Sequence, residues 1–351
     1  MQNWETLRRS RIESILVIRL WSVAEILAAT PMVRVLRNCF PAAHISFLLE
    51  ERFSELLAGC PFIDQIIPWS RQEQKQTVKE FFDLYRKVKR QHYDIIIDLQ
   101  GEKRSRLLTF LSRAEFRIGY ESADLRGKAY NIKREISPIK KHLVLFYLDL
   151  VRELIGYSGN PLDLTLFVAQ DEENKNKVKD TPQSRSEKKR VLIHPAGERA
   201  AIVWPNEKFA ELADRLIKER PVDLILAGSD KEPDRERVRQ ISQLMSQKGQ
   251  IIYHSSWRQL ISLLRAVDIF VGHDSGPMHI AAALGKRVVA LFGPSDPRQR
   301  HPWGSGHEVV WHQFPCSPCE RSDCFKGAGS CMASIEVAEV LEAITGFLTN
   351  S

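Results

Sequence analysis

An α/β fold of two doubly wound parallel sheets facing a central cleft is the architecture this sequence predicts. Three observations carry the prediction. Short, nearly continuous apolar runs alternate with helical periodicity along the 351 residues, as strands covered on both faces by crossover helices require. The protein exceeds the length at which one hydrophobic core stops growing, about 250–300 residues. The alternation stops once, at residues 171–190 (DEENKNKVKDTPQSRSEKKR), a charged segment almost without apolar residues and broken at Pro182 and Ser184. Such a segment reads as the crossing between two units.

The elements follow in order. Strands are expected over residues 14–20 (SILVIRL), 44–49 (HISFLL), 65–67 and 94–99 (DIIIDL). Helices are expected over about 23–38, 52–58 and 77–91, the last amphipathic and highly charged. Beyond the crossing, strands are expected at 190–194, 222–227, 251–253, 268–271 and 287–292. Helices fall at about 207–218, 233–246, 257–266, 276–284 and 335–348. The domains are therefore 1–170, a linker at 171–190, 191–334, and a closing helix within 335–351.

Composition narrows the function. Hydrophobic residues at 43% and charged residues at 27% argue against long disorder. A net charge of +7 fits an anionic partner, whether nucleic acid, an acidic membrane surface or a phosphorylated substrate. No stretch approaches the roughly 18–20 apolar residues that span a bilayer. The apolar run at 15–18 is short for a signal-peptide core, and no small-residue cleavage site follows it. A cytoplasmic location is expected.

The sharpest motif is residues 271–285, VGHDSGPMHIAAALG. A strand ends, a polar turn follows and a helix begins, with unpaired amides and the positive dipole end at its start. Gly276 lets a ligand approach the backbone, and the site suits a diphosphate. The other reading is a capped helix in which Asp274 or Ser275 is merely the N-cap. Residues 291–297 (LFGPSDP) form a second loop at a strand's carboxyl end, or an ordinary surface turn. His194 and His279 either contact a ligand or are buried and satisfied by backbone. Glu232 either accepts a hydrogen bond from a ribose or is an exposed first-turn glutamate.

Cys316, Cys319, Cys324 and Cys331 fall within sixteen residues. They could hold zinc tetrahedrally or an iron ion, or remain reduced thiols. Basic residues crowd the first half. Lys103, Arg104 and Arg106 follow a strand's carboxyl end, where a phosphorylated or carboxylated glycan could be received, while outer cations could meet an anionic membrane. Most of the others read as solvated helix faces. No nucleic-acid-binding motif appears, so nucleic acid is not expected as a partner.

Together these segments resemble glycosyltransferase family 9, the ADP-heptose:lipopolysaccharide heptosyltransferases. That family shows D-S-G-x-x-H-x-A-A-A-x-G followed by L-F-G-P-[TS]-D-P. Asp274, Ser275, Gly276, His279, Ala281, Ala282, Ala283 and Gly285 meet the first pattern, and residues 291–297 the second. The I-L-V-I-R-L strand with S-V-A-E-I-L-A-A-T-P looks like the family's first strand plus G-D-x-L-x-x-T-P. His194-Pro195-Ala196-Gly197 with Trp204-Pro205 looks like H-P-G…K-x-W-P. A similar cysteine-rich loop recurs in the family.

The resemblance implies a GT-B fold of two Rossmann-like domains and an inverting transfer. A nucleotide-diphosphate sugar, ADP-heptose in most of the family, would sit on the second domain, held by His194, Arg199, Glu232, Asp274, Ser275, Gly276 and His279. A lipopolysaccharide core sugar or other glycan would sit on the first domain, near Lys103, Arg104 and Arg106. No metal or other cofactor would be required for catalysis; the cysteines would at most hold structural zinc or iron. Such an enzyme would work in the cytoplasm or peripherally on the cytoplasmic face of the inner membrane. Two departures matter. The family's presumed base, an aspartate, falls on Glu25, and the preceding glycine on Ala24. Its phosphate-contacting lysine falls on Ile202 and the neighbouring basic position on Val203, leaving Arg199 to supply the charge. The alternative is a catalytically silent or altered-donor relative that binds nucleotide-sugar as an assembly or regulatory protein. A GT-B-like sugar-nucleotide epimerase is disfavoured by the H-P-x-G…W-P segment in the middle of the sequence.

Overall fold

Strands, most of them rich in isoleucine, leucine and valine and followed by a helix, assemble into two six-stranded parallel sheets. The computed structural model describes residues 2–70, 78–121, 127–135, 141–154, 188–197, 199–327 and 330–349. The molecule divides into two compact units, Met1–Val168 and Ala169–Ser351. Most of the expected linker, residues 171–187, lies outside the described residues; its last residue, Arg190, already belongs to a strand.

The first unit opens with α1 (Gln2–Arg9), β1 (Ser14–Ile18), α2 (Val23–Cys39), β2 (His44–Glu50), α3 (Ser54–Leu57) and β3 (Gln65–Trp69). It continues through α4 (Val78–Arg90), β4 (Ile95–Asp98), α5 (Lys103–Ser112), β5 (Phe116–Tyr120), β6 (Ile132–Arg134) and α6 (Leu143–Leu150). The strand order is β3-β2-β1-β4-β5-β6. Apolar residues meet in the middle of the sheet, with Val17 opposite Phe47 on one side and Ile97 on the other. One face packs Leu16, Ile18, Leu48, Ile67 and Ile96 against Leu84, Val88 and Leu108 of α4 and α5. Pro68 lies in β3, an edge strand, where its missing N–H costs no ladder bond.

The second unit runs β7 (Lys189–His194), α7 (Asn206–Glu219), β8 (Val222–Ser229), α8 (Asp234–Leu244), β9 (Gln250–His254) and α9 (Trp257–Arg265). Then follow β10 (Ile269–His273), α10 (Gly276–Ala283), β11 (Arg287–Phe292), α11 (Pro297–Arg300), β12 (Glu308–Trp311) and α12 (Val337–Thr349). Its order is β12-β11-β10-β7-β8-β9, the same winding as the first sheet read in reverse. The closing helix is part of this unit: Val337, Val340, Leu341 and Ile344 of α12 join the core formed by Trp204, Phe209, Leu212 and Leu216.

Residues 100–170 show no clear elements in the sequence, yet the structure places α5, β5, β6 and α6 there. Both strands are short and carry basic residues (FRIGY and IKR), so neither shows the apolar run that marks a central strand. The helix expected at 52–58 is a 3₁₀ turn, Glu51–Phe53, leading into α3. Among the described residues, no helix is long and apolar enough to cross a membrane.

Candidate active site

In a doubly wound sheet, ligands gather outside the carboxyl ends of the strands where the strand order reverses. That point lies between β1 and β4 in the first unit and between β7 and β10 in the second.

In the first unit, β1 ends in a short extended stretch bearing Arg19, whose guanidinium arm is only 8% exposed. Arg19 donates from Nη1 to the Leu99 carbonyl at 2.9 Å and forms an ion pair with Glu25 in the first turn of α2. Ser22, at the N-cap, has a φ of 74° and gives no cap bond from its hydroxyl. Glu25 is therefore neither solvated nor a cap; its carboxylate is 18% exposed and oriented by a buried guanidinium. Arg19 was not anticipated from the sequence, although one cation at the end of an otherwise apolar strand was the available signal.

Across the switch point, the buried Asp98 carboxylate accepts the Gln100 and Gly101 amides at 3.0 and 2.9 Å and the Tyr130 hydroxyl at 2.7 Å. Burial pushes its carboxyl pKa up, against the pull of these donors. Asp98 thus fixes the turn that launches α5, with Gly101 at a φ of +63° that other residues rarely adopt. Lys103 and Arg104 are exposed in the first turn of α5. Arg106 is set apart from them: it is half-buried and hydrogen-bonds the Tyr130 oxygen.

In the second unit, three histidines organise the switch point. The backbone N–H of Trp204 donates to His273 Nε2 at 2.9 Å, which leaves the ring proton on Nδ1, 3.4 Å from the Ala196 carbonyl. Burial lowers the His273 pKa to about 4, so the ring is a neutral pin between the 194–197 and 204 segments. His194 faces His254, Nε2 to Nε2, at 3.2 Å. Burial first, then its histidine neighbours, push the His194 pKa well down. Of the two expectations for His194, the buried one describes its position, but its partner is another ring and not backbone. The Gly272 position approaches β7 closely: a Cβ there would lie 2.9 Å from the His194 carbonyl oxygen.

The start of α10 departs from an ordinary cap. Ser275 has the extended backbone of an N-cap (φ −149°, ψ 164°), yet its hydroxyl makes no cap bond. Among the described residues, Asp274 Oδ2, Ser275 Oγ and His279 Nε2 are buried polar atoms without hydrogen-bond partners. His279 Nε2 stands 3.6 Å from Asp274 Oδ1, beyond hydrogen-bond reach. Burial would raise the Asp274 pKa, but His279, Ser295 and Arg300 outweigh it and hold it below the ordinary range.

The neighbouring loop at 293–297 is buried throughout and not the surface turn its chemistry allowed. Arg199 donates from Nη2 to Ser295 Oγ at 2.8 Å and from Nη1 to the Glu320 carbonyl at 3.2 Å. Ser295 in turn faces Asp274, so a single hydroxyl separates this guanidinium from that carboxylate. Asp296 caps α11 through the Arg298 amide and pairs with both arms of the Arg298 guanidinium, at 2.9 and 2.8 Å. Ile202 is 3% exposed, packed so closely on Gly197 that a Cβ there would meet it at 3.0 Å. Glu232 is exposed and precedes α8; its Oε2 accepts the Glu236 amide at 3.1 Å, which engages one carboxylate oxygen as a helix cap. Arg237, unanticipated from sequence, bonds Asn206 at 3.0 Å and lines a cavity of about 380 Å³ with Trp204 and Asn206.

The four clustered cysteines share one cavity of about 200 Å³ with Arg321 and Lys326. Among the described residues, no three His, Cys, Asp or Glu side chains stand close enough as placed to share a metal ion.

Residues 81–328 match the family model for glycosyltransferase family 9 (heptosyltransferase). Lipopolysaccharide heptosyltransferase 1 of Campylobacter coli is 26% identical over 290 residues, which covers 80% of this protein and 83% of the relative. The crystal structure of a family 9 glycosyl transferase from Veillonella parvula superposes with a TM-score of 0.85 at 19% identity, covering 98% of this protein and 100% of the other. The ADP-heptose lipopolysaccharide heptosyltransferase II of Escherichia coli gives 0.76 at 23% identity, covering 96% and 98%. At these identities the structural likeness speaks for the fold.

Proposed function

The protein belongs to glycosyltransferase family 9, and on that premise we propose that it moves a heptose from ADP-heptose to a sugar of the lipopolysaccharide core, inverting the anomeric centre. The observation that carries the donor half is the start of α10, where the Ser275 hydroxyl is buried without a hydrogen-bond partner beside the Asp274 carboxylate and the His279 ring, which stand 3.6 Å apart. Buried polar atoms normally find a partner in protein, ordered water or a ligand, and a diphosphate would supply one here. These three side chains surround the amides of a helix N-terminus at the switch point of the second sheet, where a diphosphate is favoured.

In the mechanism, the acceptor hydroxyl attacks the anomeric carbon from the face opposite the ADP. Its proton passes to Glu25, and the electron pair of the broken C–O bond leaves with the diphosphate. Arg199, poised through Ser295, supplies positive charge on the side where Ile202 cannot. Arg19 orients the Glu25 carboxylate. The acceptor would be met by Lys103 and Arg104. Two cations in the first turn of α5 oppose the helix dipole, an arrangement that an anionic ligand would relieve. His194 would shape the floor of the donor site, and Glu232 would offer its second oxygen to the ribose. The reading places the enzyme at the cytoplasmic face of the inner membrane. The exposed Phe82, Leu107 and Phe110, set on α4 and α5 among lysines and arginines, suit an anionic interface.

The test is ADP release from ADP-heptose with heptose-deficient lipopolysaccharide as acceptor. Turnover that falls by about 10²-fold or more in Glu25→Ala, with ADP affinity retained, is expected. Full turnover in that variant would remove Glu25 as the base. Failure of the wild-type protein to bind ADP or ADP-heptose would sink the donor assignment.

A further inference from the structure

We propose that Asp98 is a positioning residue for the transfer, acting on Glu25 through the Leu99 carbonyl and the Arg19 guanidinium. This role rests on the reading of Glu25 as the base. Asp98 closes β4 and is fully buried, opposite Ile18 at the end of β1. Burying a carboxylate is costly unless hydrogen bonds satisfy it. Here both oxygens are engaged. Oδ1 accepts the Gln100 and Gly101 amides at 3.0 and 2.9 Å, and Oδ2 accepts the Tyr130 hydroxyl at 2.7 Å. Tyr130 is itself fixed: a Cβ on Gly119 of β5 would strike its ring at 2.5 Å, and Arg106 bonds its oxygen.

The turn that Asp98 holds is bonded to the end of β1 in two places. The two amides bend the chain just after Leu99, whose carbonyl accepts Arg19 Nη1 at 2.9 Å. The Gln100 side-chain oxygen accepts the Leu20 amide at 3.0 Å. Arg19 and Leu20 are thereby held from across the strand pair, and Arg19 pairs with Glu25. The element that carries Glu25 lacks a local device of this kind. Ser22, at the N-cap of α2, has a φ of 74° in the left-handed region, and its hydroxyl makes no cap bond. A displacement of about 1 Å at a reacting group can cost on the order of 10²-fold in rate, so a shift of the turn at 98–101 reaches the chemistry.

The opposite end of the same strand pair supplies a control. Asp94 Oδ2 accepts the Glu13 and Ser14 amides at 2.8 and 2.9 Å and the Ser14 hydroxyl at 3.1 Å. This aspartate also ties β4 to β1, but at the amino ends of the strands, away from Arg19 and Glu25. A residue that merely holds the two strands together should behave the same at either end. One that sets Glu25 should act only at the carboxyl end.

Steady-state ADP release by the full-length protein is the test, with the folding of each variant followed by thermal melting. Asp98→Ala removes both acceptor oxygens and should lower kcat about tenfold or more while KM for ADP-heptose stays unchanged. Asp98→Asn keeps one oxygen for the two amides and should recover part of that loss. Asp94→Ala should lower the melting temperature and leave kcat unchanged. In a Glu25→Ala background, Asp98→Ala should cost no further rate, because a residue that acts through another loses its effect once that residue is gone. Equal losses in the two backgrounds overturn the proposal. An unchanged kcat in a folded Asp98→Ala protein, or an equal fall in Asp94→Ala, overturns it as well. Should Asp98→Ala not fold, the same cycle with Asp98→Asn decides. Full turnover in Glu25→Ala alone refutes the base, and this role with it, and is seen without any Asp98 variant.

Discussion

Ser275 occupies the N-cap of α10, but its hydroxyl does not bond the first turn. A serine at an N-cap normally bonds an amide of the first turn, and its loss costs about 1 kcal/mol. Here the hydroxyl makes no such bond. Ser275→Ala should therefore leave the urea midpoint nearly unchanged while weakening ADP binding by roughly 10-fold or more, the worth of a hydrogen bond to a charged group. A clear loss of stability with intact ADP affinity would restore the simple capping role. Glu25 invites the opposite experiment. Its carboxylate is tied to Arg19, so Glu25→Gln removes a charge partner from a buried guanidinium. It should lower turnover and also lower the melting temperature, unlike Ser275→Ala. Thermal scans beside ADP-release rates would check both effects. Residue chemistry announced Ser275 and Glu25 by motif. The Arg19 pair lies within one strand-to-helix connection and had a signal in the lone cation that ends β1, whereas the Arg199–Ser295 bond joins two loops far apart in sequence and had none.

At the scale of elements, β7 and β10 are the strands on which the second site depends. They run side by side, with Gly272 opposite His194. Gly272→Ala would place a Cβ 2.9 Å from the His194 carbonyl and 3.0 Å from the Phe270 ring. Parallel pairing leaves little room to give, so a loss of roughly 1–3 kcal/mol is expected, read as a lower chemical-denaturation midpoint. A neutral result would show that β10 can shift. Long apolar strands such as β1, β8 and β11 were legible in the sequence because burial on both faces demands continuous apolar runs. The edge strand β6 and the short β5 were not, since three to five residues that include basic ones carry no periodic signal. α5 was hidden for a related reason. Its first turn reads as a cluster of cations, and its capping box uses Glu102 and Ser105 in place of the commoner serine-to-glutamate order.

For the whole molecule, one consequence follows from the buried histidines and another from the proposed donor site. His254 and His273 both titrate near pH 4 in the folded protein because burial disfavours their cations. Their unfolded counterparts take up protons near pH 6.5. The stability owed to neutral burial is thus intact above pH 6.5 and declines as pH falls from there toward 4, by roughly 3 kcal/mol for a fully buried ring. Histidine ring resonances followed by NMR should show neither group titrating above about pH 5; titration of either near pH 6.5 would contradict the burial. Hydrogen exchange with and without ADP gives a second measurement. ADP should slow exchange in residues 194–197, 273–279 and 293–297 and leave β1 to β6 unchanged, because a ligand stabilises the elements it touches. Protection confined to the first unit would reverse the donor assignment.

The sequence by itself determined that this protein forms two parallel αβ sheets, that a polar turn opens α10, and that its motifs resemble one transferase family. All of these rest on local periodicity, turn chemistry and motif spacing, which are properties of neighbouring residues. Only the tertiary structure decided that Ser275 is no cap, that Ile202 faces inward and that Arg199 bonds Ser295. It also decided that four cysteines border one cavity. Those outcomes depend on which residues the strand order and the loops bring within a few ångströms of one another, and hydrogen bonding and burial act over that distance alone.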